Sequence, residues 1–174
     1  IGRFVGPMEY GPRALGNRSI LYQTSDKSVN VWLNEKLRRT EFMPFAPIVL
    51  REKAGDYFKN FAQNRSHAAN FMTITYDVTD KCKQDSPAIT HVDGTARPQI
   101  VDQENNFDSW QILRQYYKIT GKPIVINTSF NMHEEPIVCT PSEAVESFLE
   151  SNLDVLAIGN YIIHSPYSES DLKK

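Results

Sequence analysis

Between residues 107 and 164 the sequence alternates helix-forming and strand-forming stretches, and this limits the fold more than any other feature. "FDSWQILRQYYKITG" predicts a helix. Asp108 and Gln111 are spaced as a capping box, Phe107 and Ile112 as a hydrophobic staple, and Gly121 stands where the chain leaves the helix. "PIVINTSF" is apolar and β-branched, the pattern of a strand buried on both faces. "TPSEAVESFLES" predicts a second helix, with Thr140 as N-cap, Pro141 in the first turn and Glu143 three residues past the cap. "VLAIGNYIIH" then returns as a strand, broken at Gly159. Helices interleaved with strands must cover the faces of a sheet, so the expected class is α/β on a mixed sheet with flanking helices.

The first hundred residues add strands of both kinds. Short strands are expected at residues 3–6 and at "SILYQ", followed by a helix over "SDKSVNVWLNEKLRR". In that helix Ser25 is the N-cap, and Val29, Trp32, Leu33 and Leu37 form one apolar face. "FAPIVLRE" and "FMTITYDV" read as strands, "KAGDYFKN" as at best a short helix, and "AQNRSHAAN" and "KCKQDSPA" as connections. "ITHVDGTARPQIV" reads as a hairpin turning at Asp93-Gly94. A chain of 174 residues suits one domain, here 1–165 with a polar tail at 166–174.

The formal net charge of −2 gives no bulk attraction for nucleic acid or membrane, so any anion site is local. Cys82 and Cys139 form no metal-ligand pair and read as reduced thiols of a cytoplasmic protein, with a disulfide left open. No apolar run reaches the ~20 residues of a membrane span. The opening "IGRFVG" starts within an expected strand and without Met, which suggests a piece of a longer chain.

Four stretches carry candidate chemistry. "EYGPRALGNRSI" sets Arg13 and Arg18 on a glycine-rich turn, two permanent cations whose planar forks match phosphates or carboxylates. Its structural alternative is an Arg–Glu network through Glu9 that pins the turn. "NEKLRRTEFMPFAP" ends a helix with Lys36, Arg38 and Arg39, where cations suit the negative end of the helix dipole. The Pro/Phe run behind them, with Glu41, has the composition of a rigid pocket wall. "HVDGTARPQ" gathers His91, Asp93, Arg97 and Gln99 about a turn, which is too few ligands for a metal. "VINTSFN" ends a strand in Asn127, Thr128, Ser129 and Asn131, short donors beyond a strand's carboxyl end, where α/β folds bind ligands. Loop capping is the structural alternative there. No base stands near Ser129 in sequence, so a nucleophilic serine is unsupported.

In this order, "GPMEYGPRALGNRSI", "RRTEFMPFAP", "HVDGTARPQIV" and "GKPIVINTSFN" with "EPIV" and "TPSEA" resemble the C-terminal domain of O-carbamoyltransferases of the nodulation and antibiotic-tailoring type. The resemblance runs from about residue 2 to residue 164. It implies a YrdC-like twisted mixed sheet that makes carbamoyl adenylate from carbamoyl phosphate and ATP with Mg²⁺. The carbamoyl group then passes to a small-molecule hydroxyl, a biosynthetic reaction. It also implies an N-terminal, metal-binding ATPase-like domain outside this chain, which carries the transition metal and is a partner of this one. By the family's motifs Arg13, Arg18, Lys36, Ser129 and Asn131 bind the nucleotide and phosphates, and Arg39, His91 and Arg97 are catalytic. The chain departs from the family where Leu37 and Met43 replace usually basic residues, while Arg39 is kept. That departure implies rearranged anion contacts, or a module that binds anions without chemistry and completes its partner domain. An apolar patch left by the missing domain would also allow a homodimer. RNA binding is not expected, given the near-neutral charge.

Overall fold

The computed structural model describes residues 1–39, 45–62 and 66–167. Among these described residues nine strands run in chain order: β1 (Gly2–Phe4), β2 (Arg18–Tyr22), β3 (Ala46–Leu50), β4 (Tyr76–Asp77), β5 (Thr95–Ala96), β6 (Gln99–Val101), β7 (Ile124–Ser129), β8 (Val155–Ile158) and β9 (Tyr161–His164). The helices are α1 (Val29–Lys36), α2 (Arg51–Tyr57), α3 (Asp80–Asp85), α4 (Phe107–Thr120) and α5 (Pro141–Glu150), with single 3-10 turns at His67–Phe71 and Pro87–Ile89. A seven-stranded sheet has the order β6-β3-β7-β2-β1-β8-β9, and β4 and β5 form a separate pair. β1 runs parallel to β8 and antiparallel to β2, and β3 runs parallel to β6 and antiparallel to β7. This is the mixed α/β sheet that the sequence implies. Among the described residues no helix is long and apolar enough to cross a membrane.

The chain divides into two units, one of Ile1–Leu21, Val31–Phe42 and Thr128–Lys174, the other of Tyr22–Asn30 and Met43–Asn127. In the first unit the core is built on Ile20, Leu33, Leu37, Phe130 and Phe148. α5 holds its place through the expected capping box: Thr140 Oγ1 accepts from the Glu143 amide, and the Glu143 carboxylate accepts from the Thr140 amide. β8 and β9 make a hairpin at Gly159, whose φ of 55° permits the turn. All four residues of β9 are exposed.

In the second unit every residue of β3 is buried: β6 and β7 pair with its two edges, and α2 and α4 pack against it. Tyr57, Phe58, Ile48, Leu50, Ile89 and Ile100 are fully buried there. α4 ends at Gly121, φ 72°, as expected, but its N-cap is Asn106, whose side chain accepts from the Ser109 amide. The cap therefore lies two residues before the expected Asp108. α1 starts at Val29, not after Ser25, because Asp26 caps the Ser28 amide and hydroxyl in a tight turn first.

"FMTITYDV" yields only the two strand residues Tyr76 and Asp77, preceded by a 3-10 turn. "KCKQDSPA" forms α3, started by Thr79 accepting from the Cys82 amide. "ITHVDGTARPQIV" turns at Asp93-Gly94 but is not a hairpin of its own: β5 pairs with β4, and β6 with β3.

Candidate functional site

Arg39 is placed by the way α1 ends. The Arg39 amide donates to Asn34 O at 2.8 Å and the Arg38 amide to Glu35 O at 2.9 Å, while Arg38 takes φ 55°. This is a Schellman closure with arginine in the left-handed position that glycine usually fills. It separates three neighbouring side chains. Leu37 is fully buried, Arg38 pairs with Glu150 in solvent, and Arg39 turns inward. Its guanidinium donates to Thr128 Oγ1 at 3.1 Å and to Ser129 O and Oγ at 3.4 Å. Burial pushes its pKa down from the usual arginine value. Among the described residues it has no acidic partner. These bonds are longer than the ~2.7–2.9 Å of an arginine paired with an anion, so the guanidinium could still take an anionic partner.

The other cations of this unit are used differently. Arg18 is 4% exposed, stacks on the Phe4 ring at 3.7 Å and donates to the carbonyls of Val5, Gly6 and Asn17. Its charge braces the loop between β1 and β2. Lys36 Nζ donates to Asn152 O at 2.7 Å and lies 4.0 Å from Asp154. Asn131 donates its side-chain amide to the Met132 and Glu135 carbonyls and so folds the loop after β7. Arg13 is exposed and has no hydrogen-bond or ion-pair partner among the described residues. Arg39, Thr128 and Ser129 thus meet, Arg13 offers a free fork, and Arg18, Lys36 and Asn131 shape the backbone. Of the expected Pro/Phe wall, residues 40–44 with Glu41 and Met43 lie outside the described residues, while Phe45 is buried and Pro47 is a buried residue of β3.

The second unit holds His91 and Arg97. The Asp93 carboxylate accepts from the Thr95 amide at 3.0 Å and from its hydroxyl at 2.8 Å. That hydroxyl stands 3.1 Å from His91 Nδ1. Thr95 has one proton and gives it to Asp93, so His91 Nδ1 must carry its own proton and Nε2 keeps a lone pair. Burial lowers the His91 pKa, Asp93 raises it and Arg97 lowers it, with a net shift below the ordinary value. The sequence marks His91 and Asp93 but not Thr95, which links them; a threonine after Asp-Gly signals only turn chemistry. Among the described residues no group of three or more His, Cys, Asp and Glu stands together to hold a metal.

The profile of the family described as carbamoyltransferase C-terminus matches residues 1–165. The chain belongs to this family. Relatives include the nodulation protein NolO of Bradyrhizobium diazoefficiens, 38% identical over 164 residues, which are 94% of this chain and 30% of that protein. The nodulation protein NolNO of Sinorhizobium fredii is 40% identical over 164 residues, covering 94% of this chain and 24% of its own length. An uncharacterized protein of Methanocaldococcus jannaschii is 41% identical over 158 residues, 91% of this chain and 30% of that one. The chain therefore spans about a quarter to a third of these relatives' length.

Proposed function

We propose that this carbamoyltransferase-family chain activates the carbamoyl group: it forms carbamoyl adenylate from carbamoyl phosphate and ATP for transfer to a small-molecule hydroxyl. The observation that carries the proposal is Arg39, half-buried with no acidic partner among the described residues and held by Thr128 and Ser129 at the end of β7. In the reaction, water releases inorganic phosphate from carbamoyl phosphate. An oxygen of the resulting carbamate bonds to the α-phosphorus of ATP, and pyrophosphate leaves. The acceptor hydroxyl later attacks the carbamoyl carbon, and AMP leaves.

Displacement at phosphorus asks for positioning and charge neutralisation more than for a protein nucleophile. Arg39 and Arg13 would neutralise phosphate oxygens, and the Ser129 and Thr128 hydroxyls would orient them. Arg18, Lys36 and Asn131 hold the loops that carry these groups. Mg²⁺ suits this chain as a companion of the nucleotide, held through phosphates and water, since it is commonly bound that way. His91, whose pKa burial lowers, offers Nε2 as a proton acceptor, and Arg97 adds positive charge beside it. Carbamoyl phosphate, the hydroxyl acceptor and the family's N-terminal domain are the partners this function requires, in the cytoplasm.

The test is pyrophosphate release from ATP·Mg²⁺ with carbamoyl phosphate, in the wild type and in Arg39→Ala. Release that depends on carbamoyl phosphate and is lost in the variant supports the proposal. ATP binding without release would instead mark a module that binds anions and leaves the chemistry to a partner domain.

A further inference from the structure

The loop between β1 and β2 is built around a carboxylate. Glu9 Oε1 accepts from the amides of Leu15 at 2.7 Å, Asn17 at 2.7 Å and Arg18 at 3.4 Å. The intervening Gly16 amide donates to Ser19 Oγ at 2.9 Å. Four consecutive amides thus end on side-chain oxygens. Backbone amides that converge in this way form a nest for an anion, and here Glu9 fills the nest from within. The sequence offers Glu9 to an arginine side chain; the structure gives it to the backbone.

Other bonds fasten the loop's flanks. Asn17 Nδ2 donates to Pro7 O at 2.8 Å, and the Arg18 guanidinium holds Val5 and Gly6. What remains outside is the tip, Tyr10 to Arg13, exposed at every residue. Since the nest amides are taken, a phosphate meeting this loop meets the Arg13 side chain. A loop ordered before its ligand arrives loses less conformational freedom on binding.

We infer that Glu9 is a positioning residue, whose carboxylate orders the loop so that Arg13 meets ligand phosphates from a fixed place. The inference rests on the function proposed above. The test uses the full chain, ATP·Mg²⁺ titrated by calorimetry, and hydrogen exchange over residues 9–18. Glu9→Ala is expected to bind ATP about tenfold more weakly, yet less than about twofold more weakly in an Arg13→Ala background, because coupled residues do not add. Exchange at Leu15 and Asn17 is expected to rise at least about tenfold in Glu9→Ala with other segments unchanged.

Glu9→Gln keeps the acceptor oxygen, stays within about threefold of wild type, and carries the test if Glu9→Ala does not fold. Unchanged exchange, unchanged affinity, or an equal loss with and without Arg13 overturns the inference. A wild-type chain that binds no ATP overturns the functional reading, and with it this one. That failure is recognisable, because loop exchange still rises in Glu9→Ala.

Discussion

Replacing Arg39 by methionine should make the protein more stable and less able to bind. The side chain is kept long, but the charge is removed. Arg39 is desolvated with no carboxylate among the described residues, and its bonds to Thr128 and Ser129 run from 3.1 to 3.4 Å. Replacing a fully buried ion pair by well-packed apolar atoms is neutral to stabilising by about 1–4 kcal/mol, and a half-buried arginine stands at the low end of that range. Two hydroxyls and a carbonyl lose a donor, which returns about 1 kcal/mol. The net gain is on the order of 1 kcal/mol, or about 2–4 °C in Tm for a chain of this size.

Against that, truncating one partner of a desolvated charge pair costs about 2–5 kcal/mol of binding. ATP affinity should therefore fall about thirtyfold or more. Thermal unfolding with and without ATP·Mg²⁺ tests both at once. Without nucleotide Arg39→Met melts higher. At about a hundred times the wild-type Kd the wild type gains about 2.7 kcal/mol and overtakes it. A variant less stable by more than about 1 kcal/mol, with affinity intact, would refute the reasoning and make Arg39 a structural residue.

His91 has a folded pKa below its ordinary 6.5 because burial penalises the imidazolium. The unfolded chain then binds the proton first, so stability is full above pH 6.5 and falls as pH drops through 6.5 toward the folded value. Melting scans should show that fall in wild type and a flatter profile in His91→Gln. Thr140→Ala should cost about 1 kcal/mol by denaturant titration, and adding Glu143→Ala should cost less than its separate effect, since the two share one cap. A thiol reagent at neutral pH should label exposed Cys139 at once and reach Cys82, buried and pushed up to about 12, only on unfolding. Gly2→Ala should destabilise by about 1–3 kcal/mol in the same titration, because a Cβ there would sit 3.1 Å from the Phe130 ring.

Local chemistry is legible where it is self-contained. The cap of α5 needs only Thr140, Pro141 and Glu143, all within one turn, and the structure forms it as read. The continuous apolar runs of β3 and β7 likewise announce buried strands. Pairing is not local. Thr95 O closes the turn with the His91 amide, but the ladder of Thr95 and Ala96 forms with β4, and no feature near Asp93 tells which strand wins. The site divides along the same line. Cations on a turn and short donors after a strand can be read from type and spacing. That Arg18 is absorbed by backbone carbonyls while Arg39 is left with weak neutral partners depends on loops from distant parts of the chain. Glu9 shows the limit best: its neighbours suggest an ion pair, and only the folded loop reveals that backbone amides claim it.

The two units are woven through the chain rather than laid end to end. The first takes Ile1–Leu21, then Val31–Phe42, then everything from Thr128, with the bulk of the second between. On the ribosome, β1 and β2 emerge more than a hundred residues ahead of β8, and only then does β1 gain its parallel neighbour. Such long-range closure slows folding and leaves strand edges open in the meantime. No single cut frees either unit, so shortening the chain from one end dismantles the first unit before it isolates the second.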